Sequence, residues 1–154
     1  MSEYEKIIAE SLTKKSINYE CQAVINIEDR PWGNKRPLQS VFYLPDKKLH
    51  VEVKGFMTLE SMFKIGWLLN NLHKKTDTYY CLIQASEHLY MYDEVSAKTQ
   101  ADRKKQNLEI QINELITLAP AELNRRSIQR VEKFLQLWLG RYKEHDIPLF
   151  RASC

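Results

Sequence analysis

No stretch of this chain approaches the roughly 18 consecutive apolar residues that a membrane-spanning helix needs, so no helical span is expected. The N-terminal segment is acidic and amphipathic, not basic and then apolar, so no secretory leader is expected either. Cysteine is scarce. The three residues, Cys21, Cys81 and Cys154, are an odd number at unrelated spacings, which excludes a disulfide framework and a metal-finger pattern. Cys21 and Cys81 fall in strand-like segments and read as buried thiols, which suits a reducing, cytoplasmic setting. There is no internal repeat, low-complexity segment or linker. Charge of one sign is not in large excess: 23 basic and 20 acidic residues give a net +3. That balance permits nucleic-acid binding without requiring it, because the diagnostic is clustering on one face. What remains is ordinary globular composition, 44% hydrophobic and 28% charged over 154 residues, enough for one core and one domain.

The hydrophobic pattern predicts an α/β protein. Residues 2–15 form an amphipathic helix with Tyr4, Ile7, Ile8, Ser11 and Leu12 on one face. After a first strand and the loop Pro31-Trp32-Gly33-Asn34, residues 38–44 and 49–54 form a hairpin turning at Pro45-Asp46-Lys47-Lys48. Residues 58–75 form a second helix capped by Thr58. Strands are expected at 79–84 and 88–93. The C-terminal third is helical: residues 96–118, although the alternation in 108–112 leaves a short strand open, and then a helix from the Ala119-Pro120 break to about residue 144. Ile128, Val131, Leu135, Trp138 and Tyr142 line one face of that last helix, with Phe134, Leu137 and Leu139 widening the arc. So much apolar surface implies deep packing or a partner chain.

The most informative segment is Val51-Glu52-Val53-Lys54-Gly55. On a strand Glu52 and Lys54 point to the same face, together with His50, while Leu49, Val51 and Val53 line the other. A carboxylate near a core is costly unless it is paired or binds metal. Two readings follow: a structural ion pair on a half-exposed strand, or a site. His50 reads as a half-exposed strand residue.

The element order, with Glu-x-Lys-Gly on the third strand, resembles the PD-(D/E)xK nuclease superfamily, nearest to the small phage and archaeal junction-resolving endonucleases. The resemblance covers roughly the first 95 residues. It implies a restriction-endonuclease-like core, residues 1–95, with helix, central mixed sheet of four or five strands, and helix. Residues 96–154 would be a helical extension packed on that same core. It further implies that a first-helix Glu, a second-strand Asp and the Glu-x-Lys surround one or two Mg²⁺ ions. Glu5, Glu52 and Lys54 match as catalytic residues, with Glu52 and Glu5 as ligands for Mg²⁺ or Mn²⁺. Glu5 also has a purely local reading, since Ser2-Glu3-Tyr4-Glu5 is a capping box.

The second-strand Asp is not matched. If Leu44 pairs with Leu49, then Val41 faces Glu52 and Gln39 faces Lys54, as neighbours about 5 Å apart at Cβ. Val41 occupies the family's Asp position. Asp46 lies in the turn, roughly 17 Å along the strand from Glu52. The remaining oxygen donors, Glu28, Asp29 and Gln39, do not fit the pattern.

Basic clusters supply candidate DNA contacts: Lys35 and Arg36 before the hairpin, and Arg126, Arg130 and Lys133 at i, i+4, i+7 on the last helix. Arg103-Lys104-Lys105 reads as a solvated helix face. Two functions follow. One is a metal-dependent DNA endonuclease. The other is an inactive nuclease-fold protein that binds DNA, a protein partner or a second copy of itself.

Overall fold

The computed structural model describes residues 1–55, 57–85 and 97–139; of residues 97–101, 103–104 and 137–139 only the backbone is described. The expected strand at 88–93, the face residues Trp138 and Tyr142, and the side chains of Arg103 and Lys104 lie outside what is described.

Helix α1 spans Glu3–Lys14 and begins with the capping box: Ser2 N–H donates to Glu5 Oε2 (2.7 Å) and Glu5 N–H donates to Ser2 Oγ (3.2 Å). Its buried stripe is Ile8, Ala9 and Leu12. Ile7, expected on that face, is 39% exposed, because the stripe is rotated by one position. Six short strands follow: β1 (Glu20–Cys21), β2 (Val24–Ile25), β3 (Leu38–Gln39), β4 (Phe42–Leu44), β5 (Leu49–Lys54) and, after helix α2 (Leu59–Lys75), β6 (Tyr79–Gln84). Helices α3 (Ala97–Thr117) and α4 (Pro120–Leu139) complete the described chain. Thr58 caps α2 as expected, its hydroxyl accepting from Ser61 N–H. Residues 108–112 lie within α3, so the strand alternative falls.

The main sheet has the order β1-β4-β5-β6, antiparallel except for the parallel pair β5/β6. It is a mixed four-stranded sheet, within the expected size. The hairpin register is as predicted at its closed end, with Leu44 opposite Leu49, Tyr43 opposite His50 and Phe42 opposite Val51. There the ladder stops. Ser40 N–H donates to Ala23 O, Gln22 N–H donates to Val41 O, and Gln39 pairs with Val24 in a separate two-stranded sheet. The expected pairs Val41–Glu52 and Gln39–Lys54 are therefore corrected. The chain bends at Ser40–Val41 and passes from β5 to β2, and Val41 packs against the cluster containing α1 and Val51.

Helices cover both faces of β5 and β6. Leu49, Val51, Val53, Cys81 and Ile83 meet Ile8 and Leu12 of α1 and Leu108, Ile112 and Leu115 of α3. Tyr80 and Leu82 meet α2 and the Val131, Phe134 and Leu135 stripe of α4. The helical extension thus buries the parallel pair, as parallel strands require. Cys81 is buried as expected, and burial raises its thiol pKa to about 12. Cys21 is exposed, because β1 is a two-residue edge strand with both side chains in solvent.

The outer edge of β6 is closed by side chains. Odd-numbered backbone groups bond β5, as in Tyr79 N–H to Lys48 O and Ala85 N–H to Lys54 O, so the even-numbered groups face outward. Asn124 Nδ2 donates to Tyr80 O (2.8 Å), and Ser127 Oγ accepts from Leu82 N–H (3.0 Å). Arg130 Nη1 donates to Leu82 O (3.1 Å). Gln111 holds both the N–H and the carbonyl of Gln84 (2.9 and 2.7 Å). Among the described residues, side chains and not a further strand meet these edge groups. At the opposite end of β5, Lys47 Nζ donates to the carbonyls of Leu115, Ile116 and Leu118, capping the end of α3 on the hairpin turn.

Candidate functional site

Glu52 and Lys54 occupy the C-terminal end of β5, next to the point where the chain leaves for α2. Both are half-buried. Glu52 Oε1 accepts from Val53 N–H (3.1 Å), and its Oε2 accepts from Tyr80 O–H (3.3 Å). Burial raises the Glu52 carboxyl pKa; the Lys54 charge and the two hydrogen bonds lower it, and the charge of Glu5 raises it again. Gly55 lies beside the Tyr4 ring, which brings the start of α1 against the end of β5. Among the described residues no direct salt bridge joins Glu52 to Lys54, so the structural ion pair of the first reading is not formed.

Tyr80 is the site residue that sequence reasoning missed. Its ring is fully buried, its hydroxyl reaches Glu52, and burial holds its pKa well above the ordinary value. Only the parallel register, His50 beside Tyr80 and Glu52 beside Leu82, brings them together. Composition carries no sign of that register.

His50 is buried at 6% exposure, not half-exposed. Its Nδ1 lies 2.8 Å from Ser40 Oγ, and its ring lies against Tyr43, tilted by 36° with centroids 4.5 Å apart. The bend at Ser40 creates that pocket. Burial lowers the imidazole pKa from 6.5 to about 4. The folded state holds His50 neutral while the unfolded chain protonates it. This stabilisation is therefore complete above pH 6.5 and is lost as pH falls toward 4. It amounts to about 3 kcal/mol over that window. Denaturant titrations at pH 7 and pH 4.5 should show the loss, and a His50→Leu variant should show a flatter pH dependence.

Asp46 lies where the register argument puts it, in the turn at the far end of β5, accepting from Asn18 Nδ2 (3.3 Å). Glu28 and Asp29 are exposed and Gln39 belongs to the second sheet. Among the described residues no group of three His, Cys, Asp or Glu side chains could hold a metal ion. Glu52 and Glu5 remain the carboxylates at this end. Glu5 Oε2 is engaged by Ser2 N–H in the capping box of α1.

The basic candidates differ in freedom. Arg130 is largely enclosed and committed to Leu82 O and Glu114. Arg126 pairs with Glu114 and Glu122, and Arg125 pairs with Glu122. Lys133, Lys35 and Arg36 are exposed. The i, i+4, i+7 stripe therefore offers one free cation, Lys133, among those three described side chains. Searches against family models, curated proteins and solved structures return no match, so the geometry of the chain itself carries the functional reading.

Proposed function

We propose that this chain acts on DNA by metal-dependent phosphodiester hydrolysis, as an endonuclease of the PD-(D/E)xK type. The observation that carries the reading is the Glu52-x-Lys54 pair at the end of the third strand of the main sheet, with Glu5 of the first helix in electrostatic reach. The order of helices and main-sheet strands supports it: α1, the antiparallel strands β1, β4 and β5, then α2 and β6 parallel to β5, with β2 and β3 set apart in a second sheet. Glu52 and Glu5 are the residues to hold Mg²⁺ or Mn²⁺. Bound there, such an ion polarises the phosphoryl oxygen and lowers the pKa of an attacking water. Lys54 stabilises charge developing on the phosphate. Tyr80 orients the Glu52 carboxylate.

A second reading, a nuclease-fold protein without activity that binds DNA or a protein partner, draws on Val41, which is apolar and turned into the α1 core. Incubation with duplex, single-stranded and branched DNA separates the two. Cleavage is expected with Mn²⁺, more weakly with Mg²⁺, and none with a chelator, since Mg²⁺ demands the stricter octahedral geometry. No cleavage with either ion, and no rise in unfolding midpoint on adding them, would leave only the second reading.

A further inference from the structure

The loop between β2 and β3, a plain connector by its sequence, is a built surface. Arg30 anchors it: its backbone N–H and Nε donate to Asn34 Oδ1 (3.2 and 3.0 Å), and its Nη2 donates to Arg36 O (2.8 Å). Trp32 is half-buried and held edge-on by Phe63 (6.3 Å) and Trp67 (5.4 Å) of α2. Lys64 Nζ lies 5.9 Å from the Trp32 ring centre and pairs with Glu60 at 3.1 Å. Trp32, Lys35, Arg36, Glu60 and Lys64 line one groove. Lys35 and Arg36 are exposed at its rim, with no ion pair among the described residues. Glu60 and Lys64 stand in the first two turns of α2, which begins five residues after Lys54. The groove is thus lined in part by the helix that follows the strand carrying the candidate site.

We propose that this groove binds a single-stranded segment of nucleic acid, with one unpaired base stacked on Trp32 and the flanking phosphates held by Lys35 and Arg36. The proposal rests on the DNA-acting reading above and narrows its substrate to DNA with unpaired nucleotides. The chemistry asks for that class. An indole fixed by two aromatic neighbours and left partly open is a stacking platform, and a base must leave the duplex to lie on it. A free ammonium and guanidinium at the rim attract phosphates but carry no base specificity. An acidic peptide would use the same cations and leave the indole idle.

The test is binding of labelled oligothymidylate, and of a duplex of equal length, to the full chain in a chelator, so that no cleavage intervenes. Single strand is expected to bind more tightly than duplex. Trp32→Leu should weaken single-strand binding by about 5- to 100-fold and leave duplex binding nearly unchanged. Lys35→Ala with Arg36→Ala should weaken both and lower the salt slope by about 0.7 for each single-strand phosphate no longer neutralised. Trp32 also packs on α2, so the double variant, which alters exposed side chains only, stands as the second arm. Equal affinity for single strand and duplex overturns the proposal. So does unchanged oligothymidylate binding in the double variant, or a preference for polyglutamate over oligothymidylate. Failure of the nuclease reading is separable: single-strand preference without cation-dependent cleavage keeps the groove and removes the enzyme, whereas cleavage of duplex with no such preference does the reverse.

Discussion

Replacing Asn124 by Asp should destabilise the protein by at least about 4 kcal/mol at neutral pH, although the two side chains have the same shape. Asn124 is buried in α4, and its Nδ2 donates to two carbonyls, Leu69 O of α2 and Tyr80 O of β6, each at 2.8 Å. One amide thus ties three elements together. An aspartate there would point carboxylate oxygen at both carbonyls in a buried site, a charge with no partner. Asn124→Leu removes the two bonds without adding charge and should cost about 3 kcal/mol, mainly from leaving Tyr80 O unpaired. The order of the two variants is the sharp part. A neutral side chain of the wrong shape should be tolerated better than a charged one of the right shape. The penalty of Asp should shrink as pH falls, because the folded state favours the protonated acid, whose hydroxyl can donate to one carbonyl. Against a total stability of about 5–15 kcal/mol, the loss is visible in any denaturant titration. Equal midpoints for wild type and Asn124→Asp at pH 7 would mean that α4 does not clamp β6.

That clamp explains what is and is not legible in the sequence. Local rules are readable. Ser2 and Glu5 announce the start of α1, Thr58 the start of α2 and Pro120 that of α4. The turn at Pro45 sets the Leu44–Leu49 register, which in turn places Asp46 away from Glu52. Non-local facts are not readable. The ladder ends at Phe42 because Ser40 and Val41 are claimed by residues 22 and 23, and by His50 through the Ser40 hydroxyl. His50 is buried because that bend closes over it. Arg130 matches a phosphate-binding stripe by spacing, yet its guanidinium is committed to Leu82 O and Glu114, partners fixed only when α3, α4 and β6 assemble. The same holds at the candidate site. Residue type and spacing name Glu52, Lys54 and Glu5, whereas Tyr80 depends on a parallel register no local signal encodes.

Glu52→Gln should change activity and stability in opposite directions, and the opposition is diagnostic. Under the proposed reaction Glu52 is the principal protein ligand of the cation, so cation-dependent cleavage should fall by about 10²–10³-fold or more. Lys54→Ala should cause a loss of similar order by removing the positive group facing the phosphate. Without cation, however, Glu52 is a liability. Burial and the nearby Glu5 raise its pKa, so the folded state binds its proton more tightly than the unfolded chain does. Its unfavourable contribution is absent below the ordinary carboxylate range and grows as pH rises toward and past the folded value. Glutamine keeps one carbonyl oxygen to accept from Val53 N–H, its amide can donate to the Tyr80 hydroxyl oxygen in place of the second bond, and it carries no charge. The variant should therefore gain stability at neutral pH, with no gain in acid. Cations should raise the midpoint of the wild type and leave Glu52→Gln unmoved. A structural role predicts another pattern: the variant would lose stability, lose no cleavage beyond what its unfolding explains, and respond to cations as the wild type does. Thermal scans of both proteins with and without Mn²⁺ between about pH 4 and 8, beside cleavage rates at the same pH values, decide between the two. A wild type that gains nothing from Mn²⁺ while Glu52→Gln is destabilised would assign the Glu52–Lys54 pair to the fold alone.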